Sequence, residues 1–175
     1  MYTPGEEIVQ IVDEQNRESG ELPRHLMREQ RLIHRASYIL VFNSAGELFV
    51  QKRTKTKDIY PGYRDVTAGG VVQGGESYEQ SAERELSEEL GVRSVPLTFL
   101  FDQYYEDQDN RVWGRIFSCV HEGPFTLQEE EVEDGRFMLP RIALELSATE
   151  PFTPDGILVL QKFIDRRTGI SAGTE

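Results

Sequence analysis

Residues 70–92, GVVQGGESYEQSAERELSEELGV, constrain their own conformation more tightly than any other stretch of the chain. Ser77 with Gln80 three residues later fits a capping box, in which the serine hydroxyl accepts from the Gln80 amide and the Gln80 side chain reaches back. Gly91 stands where a helix closes on a left-handed residue. Between these ends, Ala82, Leu86 and Leu90 recur every four positions and form one apolar stripe. Glu85, Glu88 and Glu89 are three and four positions apart and share a second face, somewhat over a quarter turn away. The stripe must be buried against a sheet or another helix, which fixes the carboxylates beside whatever it packs on.

Three carboxylates so close raise one another's pKa and weaken a helix unless something neutralises them. Either the face is solvated, the ordinary fate of such a run, or it holds a hard cation. An all-oxygen donor set suits Mg²⁺ or Mn²⁺ better than zinc. The formal net charge of −12 opposes binding to nucleic-acid polymers, whose affinity rests on Lys and Arg contacts with phosphates. It leaves room for a small phosphorylated metabolite, because a bound cation inverts the local field. With only Cys119, no intramolecular disulfide and no cysteine-rich metal site can form. No apolar run approaches the ~20 residues that span a bilayer, and the acidic start MYTPGEEIVQ lacks a signal region. A cytoplasmic protein without membrane contact is expected. His25, His34 and His121 have no paired spacing and carry no functional expectation.

The rest of the chain reads as interleaved strands and helices with no repeat and no linker, hence one domain over 1–175. Ile8, Val9, Ile11 and Val12 form a strand-like run ending at a turn over Asn16–Gly20, and PRHLMREQRLIHR (23–35) reads as an amphipathic helix. Together they make an N-terminal strand–helix extension, 1–35. Ala36–Phe42 and Glu47–Arg53 are strands joined by the hairpin turn Asn43–Gly46. A polar stretch, Thr54–Tyr60, leads through Pro61-Gly62 to an extended segment ending at Gly69-Gly70. Val95–Tyr105 and Arg111–Val120 read as antiparallel strands around Asp107–Asn110. A short strand Arg136–Leu139, a helix after Pro140 and a last helix from Pro154 to Arg166 complete the chain. Tyr104, Tyr105, Trp113 and Phe117 could stack on a nucleobase, but as aromatic strand residues they read first as core.

Spacing adds a resemblance. Gly70, Glu76, Arg84, Glu85, Leu86, Glu88, Glu89, Gly91 and Val92 fill every defined position of Gly-x5-Glu-x7-Arg-Glu-U-x-Glu-Glu-x-Gly-U, where U is bulky and aliphatic. This resembles the Nudix box of the Nudix hydrolases. The resemblance implies an α/β (α+β) fold, an α/β/α sandwich with a mixed β-sheet. It further implies Mg²⁺- or Mn²⁺-dependent hydrolysis of a diphosphate linkage in a small nucleoside-diphosphate-X metabolite. Glu85, Glu88 and Glu89 would bind metal, with Glu85 and Glu89 as direct ligands, while Arg84 orients a glutamate through an ion pair. Gly70, Glu76 and Gly91 would shape the loop–helix–loop frame. Glu88 and Glu131, the latter in the acidic run Glu129–Asp134, are the carboxylates expected to act in catalysis. A homodimer follows from family habit alone.

Outside the box the chain resembles a sub-branch close to the isopentenyl-diphosphate isomerases, through its N-terminal extension, Gln51-Lys52-Arg53-Thr54, Tyr60-Pro61-Gly62 and Glu131-Val132. From this likeness Arg53 and Lys57 are expected against a diphosphate, the alternative being an exposed basic patch with Lys52 and Lys55. An isomerase is therefore the rival enzyme, but Ala68 stands at the place of its cysteine and Gly70 at that of its metal-binding histidine. Hydrolysis is the preferred reading. A domain of this kind that only binds and senses a nucleotide is the alternative from another class.

Overall fold

A computed structural model describes residues 3–169; residues 1–2 and 170–175, the extreme ends of the expected domain, lie outside the described residues. The chain runs β1 (Ile8–Val12), β2 (Glu18–Pro23), α1 (Arg24–Glu29), β3 (His34–Phe42), β4 (Leu48–Arg53), β5 (Arg64–Asp65), β6 (Ala68–Val71) and α2 (Tyr78–Leu90). It continues with β7 (Thr98–Glu106), β8 (Arg111–Val120), β9 (Val132–Met138), α3 (Pro140–Leu146) and α4 (Pro154–Arg167).

Strand β3 organises the mixed sheet. It pairs in parallel with β8 along its whole length, from His34↔Val112 to Phe42↔Val120, and antiparallel with β6 over Ala36–Ile39. Strand β7 lies outside β8, and β4 pairs antiparallel with β5 and β9. Both faces of β3 are covered. Ile39 and Val41 point to a layer with Ala82, Leu86 and Leu90 of α2, while Leu40 points to the opposite layer with Val159, Leu160 and Phe163 of α4. The α/β/α sandwich with a mixed sheet follows from that double burial, as expected. Among the described residues no helix is long and apolar enough to cross a membrane.

Several local expectations need correction. The turn expected over Asn16–Gly20 is partly strand: Glu18–Pro23 pairs with β1 as an exposed polar edge. The N-terminal helix ends at Glu29, because Arg31 takes a left-handed φ of 52° and His34 enters β3. The Asn43–Gly46 turn forms, yet β3 and β4 meet only at Phe42↔Leu48 and then diverge to other partners. Strand β9 starts at Val132, four residues earlier than expected, because its polar residues pair with β4.

Candidate metal and diphosphate site

Helix α2 carries the carboxylates, and its ends are the expected ones. Ser77 Oγ accepts from Gln80 N at 3.1 Å, Ser77 N donates to Gln80 Oε1 at 2.9 Å, and Gly91 closes the helix at φ 67°. With Ala82, Leu86 and Leu90 locked into the sheet, Glu85 and Glu89 are pressed against the strand β6. Gly69 N–H donates to Glu89 Oε2 at 3.2 Å, and Gln51 Nε2 approaches the same oxygen at 3.4 Å. The Glu85 carboxylate lies so close to the Gly70 backbone that a Cβ there would meet Oε1 at 2.5 Å. Glu88 is half exposed.

Arg84 ties the frame together. Its Nε donates to Glu76 Oε1 at 2.6 Å, and its Nη1 reaches Glu85 Oε1 at 2.9 Å and Glu88 Oε2 at 3.2 Å. Glu76 also accepts from Gln73 N, fixing the loop before the helix. An ion pair between Arg84 and a glutamate of this face, which the resemblance implies, is thus present.

Burial pushes the Glu85 and Glu89 carboxyls well above the usual carboxylate range, and neighbouring carboxylates add to the rise. Two neighbouring like charges, one buried and one largely so, with only partial compensation fit a cation, and every available donor is oxygen. The buried Gln51 Oε1, beside Glu89, has no hydrogen-bonding partner and adds one more such donor. Among the described residues, however, no three acidic, histidine or cysteine side chains converge on one point. Glu85 is turned to Arg84 and Glu89 to the Gly69 amide, so cation binding requires these side chains to reorient.

The loop from Thr54 to Pro61 brings the other expected residues. Lys57 is ion-paired with Glu131, and both act electrostatically on Glu89. Arg53 lies deeper, with Nη1 at 3.5 Å from Asp65 Oδ2, Nη2 donating to the Ile59 carbonyl at 3.0 Å, and Nε without a partner. The structure thus places Lys57 and Glu131 near the carboxylate face, and Arg53 lines, together with Lys57, a polar cavity that also reaches Gly69 and Gly70.

That cavity, about 70 Å³, is lined by Tyr38, Arg53, Lys57, Asp65, Gly69, Gly70, Thr153 and Asp155, and also by Arg24, Arg28, His34 and Asn110. Tyr38 OH donates to Asp155 Oδ2 at 2.7 Å, and Thr67 donates its N–H and hydroxyl to Asp65. Burial, aided by the charge of Asp65, pushes the Asp155 carboxyl up to about 6. Burial also pushes His34 down to about 3, so it is neutral. Against the cost of burial, Arg24 and Arg28 hold the shared Asp58 carboxyl well below its usual range, each with Nε at 3.0 Å.

Tyr38, Asp65, Thr153 and Asp155 carried no expectation. No local signal marks them, because they come from β3, β5, α4 and the residue that precedes α4, and meet only in the fold. Arg24 and Arg28 did carry a signal, being four apart on a short helix. Of the aromatic residues, Phe117 is buried and Trp113 pairs with Tyr104 at 5.4 Å between ring centroids. A larger, mostly apolar cavity of about 840 Å³ lies between Phe42, Leu100, Val120 and Phe163, and no carboxylate lines it.

The sequence profile described as the NUDIX domain matches residues 32–160. An uncharacterized Nudix hydrolase of Pseudomonas aeruginosa is 47% identical over 159 residues, 91% of this chain and 94% of the relative. The uncharacterized Nudix hydrolase YfcD of Escherichia coli K12 is 46% identical over 161 residues, 91% of this chain and 88% of the relative. Among solved structures, DR0079 from Deinococcus radiodurans superposes with a TM-score of 0.79 at 24% identity, covering 89% of this chain and 98% of that one. The MutT protein from Methanosarcina mazei Go1 does so with a TM-score of 0.67 at 22% identity, covering 78% and 95%. At those identities the structural likeness speaks to the fold.

Proposed function

The chain belongs to the NUDIX domain family and is a Nudix hydrolase, and from that premise we propose that it cleaves the diphosphate of a small nucleoside-diphosphate-X metabolite with Mg²⁺ or Mn²⁺. Hydrolysis of a pyrophosphate linkage and the use of a divalent metal are general to the family; the substrate class, the ion and the residue roles are our reading. One observation carries it: Glu89, buried, and Glu85, largely buried, lie side by side on α2 against Gly69 and Gly70, an arrangement costly without a cation.

Glu85, Glu88 and Glu89 would hold the metal, which when bound polarises phosphoryl oxygens and lowers the pKa of a coordinated water. Arg84 keeps Glu85 and Glu88 on the reacting side of the helix. The Gly69 amide orients Glu89. Lys57 offsets charge on the diphosphate, with Arg53 behind it. Glu88 and Glu131 are more exposed than Glu85 and are the carboxylates suited to take the attacking water's proton. The isomerase alternative finds no support in the site, since Ala68 offers no proton and Cys119 is buried in β8.

The test is a broad panel of diphosphate compounds with each metal. At least one should release phosphate-bearing products only when Mg²⁺ or Mn²⁺ is present. Glu89→Gln should slow that reaction by about a hundredfold or more while the protein stays folded. Full activity in Glu89→Gln, or no turnover of any compound, overturns the proposal.

A further inference from the structure

Beside the carboxylate face, the polar cavity has a donor and acceptor inventory that narrows what it can hold. The cavity is lined on one side by Gly69 and Gly70, whose backbone touches Glu89 and Glu85, and elsewhere by Asp65, Tyr38, Thr153 and Asp155. A substrate whose diphosphate lies on the carboxylate face would therefore lead one of its substituents into this space.

We infer that the cavity bounded by Arg53, Thr153 and Asp155 receives a small hydroxyl-bearing group attached to the substrate's diphosphate and disfavours a hydrocarbon chain there. The inference rests on the diphosphate-hydrolase reading above and names the substituent that reading leaves open.

Three observations support it. Arg53 Nε and Thr153 Oγ1 are buried polar atoms without hydrogen-bonding partners, and Thr153 is 2% exposed. Unmet groups of this kind are uncommon and call for a partner. Facing them are the carboxylates of Asp65 and Asp155, which accept, and the Tyr38 oxygen, which already donates to Asp155 but can still accept. A hydroxyl group satisfies both sides at once, accepting from the guanidinium and donating to a carboxylate. A phosphate at this end would lie against the two carboxylates, while the other cations lining the cavity, Arg24, Arg28 and Lys57, are already paired with Asp58 and Glu131; an alkyl chain would leave Arg53 Nε and Thr153 Oγ1 unmet.

Size sets the scale of the group. A volume of about 70 Å³ takes a group of only a few heavy atoms, since one water needs roughly 10–15 Å³ of such space. A diol fragment fits, and a nucleobase does not, so the nucleoside would lie outside. Burial of Asp155 and Asp65 raises both carboxyls, in line with a site that exchanges hydrogen bonds with a neutral polyol.

The test compares two adenosine diphosphate esters that differ only in the substituent, 2,3-dihydroxypropyl or propyl. The wild-type enzyme should favour the diol ester by at least about tenfold in kcat/KM. Thr153→Val, which keeps the side-chain shape but removes the hydroxyl, should bring that ratio toward one, chiefly through a higher KM for the diol ester. Asp155→Asn is the second variant and should lower the same ratio, with folding checked by thermal melting. Equal handling of the two esters by the wild type, or a preference that survives both substitutions, overturns the inference. So does rejection of both esters by an enzyme that hydrolyses other diphosphates. If no diphosphate of any kind is turned over, the hydrolase reading has failed and the inference falls with it.

Discussion

Arg84 Nε sits 2.6 Å from Glu76 Oε1, so the loop before α2 and the carboxylate face of the helix share one guanidinium. The same group reaches Glu85 and Glu88, which lysine, with one compact ammonium and no planar fork, cannot do simultaneously. Arg84→Lys is expected to lower kcat about 10- to 100-fold, the usual effect of losing an outer-shell partner of a metal ligand. Destabilisation should be modest, roughly 1–3 kcal/mol, because Glu76 keeps its bond from Gln73 N. Steady-state kinetics on any hydrolysed substrate, with urea unfolding alongside, checks both; an unchanged kcat would remove Arg84 from the machinery.

Cation binding should appear in stability before any substrate is known. A ligand that binds only the folded state stabilises it by about 2.7 kcal/mol at a hundredfold excess over Kd. For a chain of this length, that raises Tm by about 5–10 °C. Mg²⁺ or Mn²⁺ should shift wild-type Tm on this scale, and Glu89→Gln should lose most of the shift. Without metal, Glu89→Gln should melt at or above the wild type, since the substitution removes a buried charge that lies beside the like charge of Glu85. Thermal melts of both proteins across a metal titration decide it, and an equal metal shift in both contradicts the assignment of Glu89.

The two halves of this site differed in how much the sequence disclosed. Helix α2 was legible from cap to cap because its signals are local: Ser77 and Gln80 are one turn apart, and Gly91 follows the last apolar position. The strand partners were not legible. A run such as Ala36–Phe42 reads as a buried strand, but nothing in it says that β8 lies parallel beside it or that β4 peels away after Leu48. Edge strand β2 was missed because its residues are exposed and polar, so only its backbone bonds to β1 make it a strand. Tyr38 and Asp155 are 117 positions apart, and a pair that distant has no trace in spacing.

Asp155 gives a pH dependence with a definite sign. Burial raises its folded-state pKa from 3.8 to about 6, so between these values the folded chain binds a proton that the unfolded chain does not. The contribution is fully present below about 3.8 and is lost as pH rises through 6. Other acids, such as Asp58, lose stability as pH falls, so the total need not rise. The difference between proteins isolates the effect. Asp155→Asn, uncharged throughout, should gain roughly 1–3 kcal/mol relative to the wild type between pH 4 and pH 7. Denaturant unfolding at a series of pH values measures it, and a difference independent of pH would mean that Asp155 does not titrate there.

Two adjacent glycines should respond to the same substitution in opposite ways. Gly69 has φ 136°, and a Cβ there would collide with the Ser37 carbonyl of the neighbouring strand, a backbone group that cannot move without breaking the β3–β6 ladder. Gly69→Ala should therefore cost about 2 kcal/mol or more and lower Tm. Gly70 has no such backbone constraint; its added Cβ would meet the end of the Glu85 side chain instead. That carboxylate can swing aside at little cost to the fold, but in doing so it leaves Arg84 and the metal face. Gly70→Ala should accordingly hold Tm within about 2–4 °C of the wild type, a change of about 1 kcal/mol, yet lose most activity. Paired melts and rate measurements on the two variants separate the cases. If Gly70→Ala kept full activity, Glu85 would not need the position it holds against Gly70, and its place among the metal ligands would have to be given up.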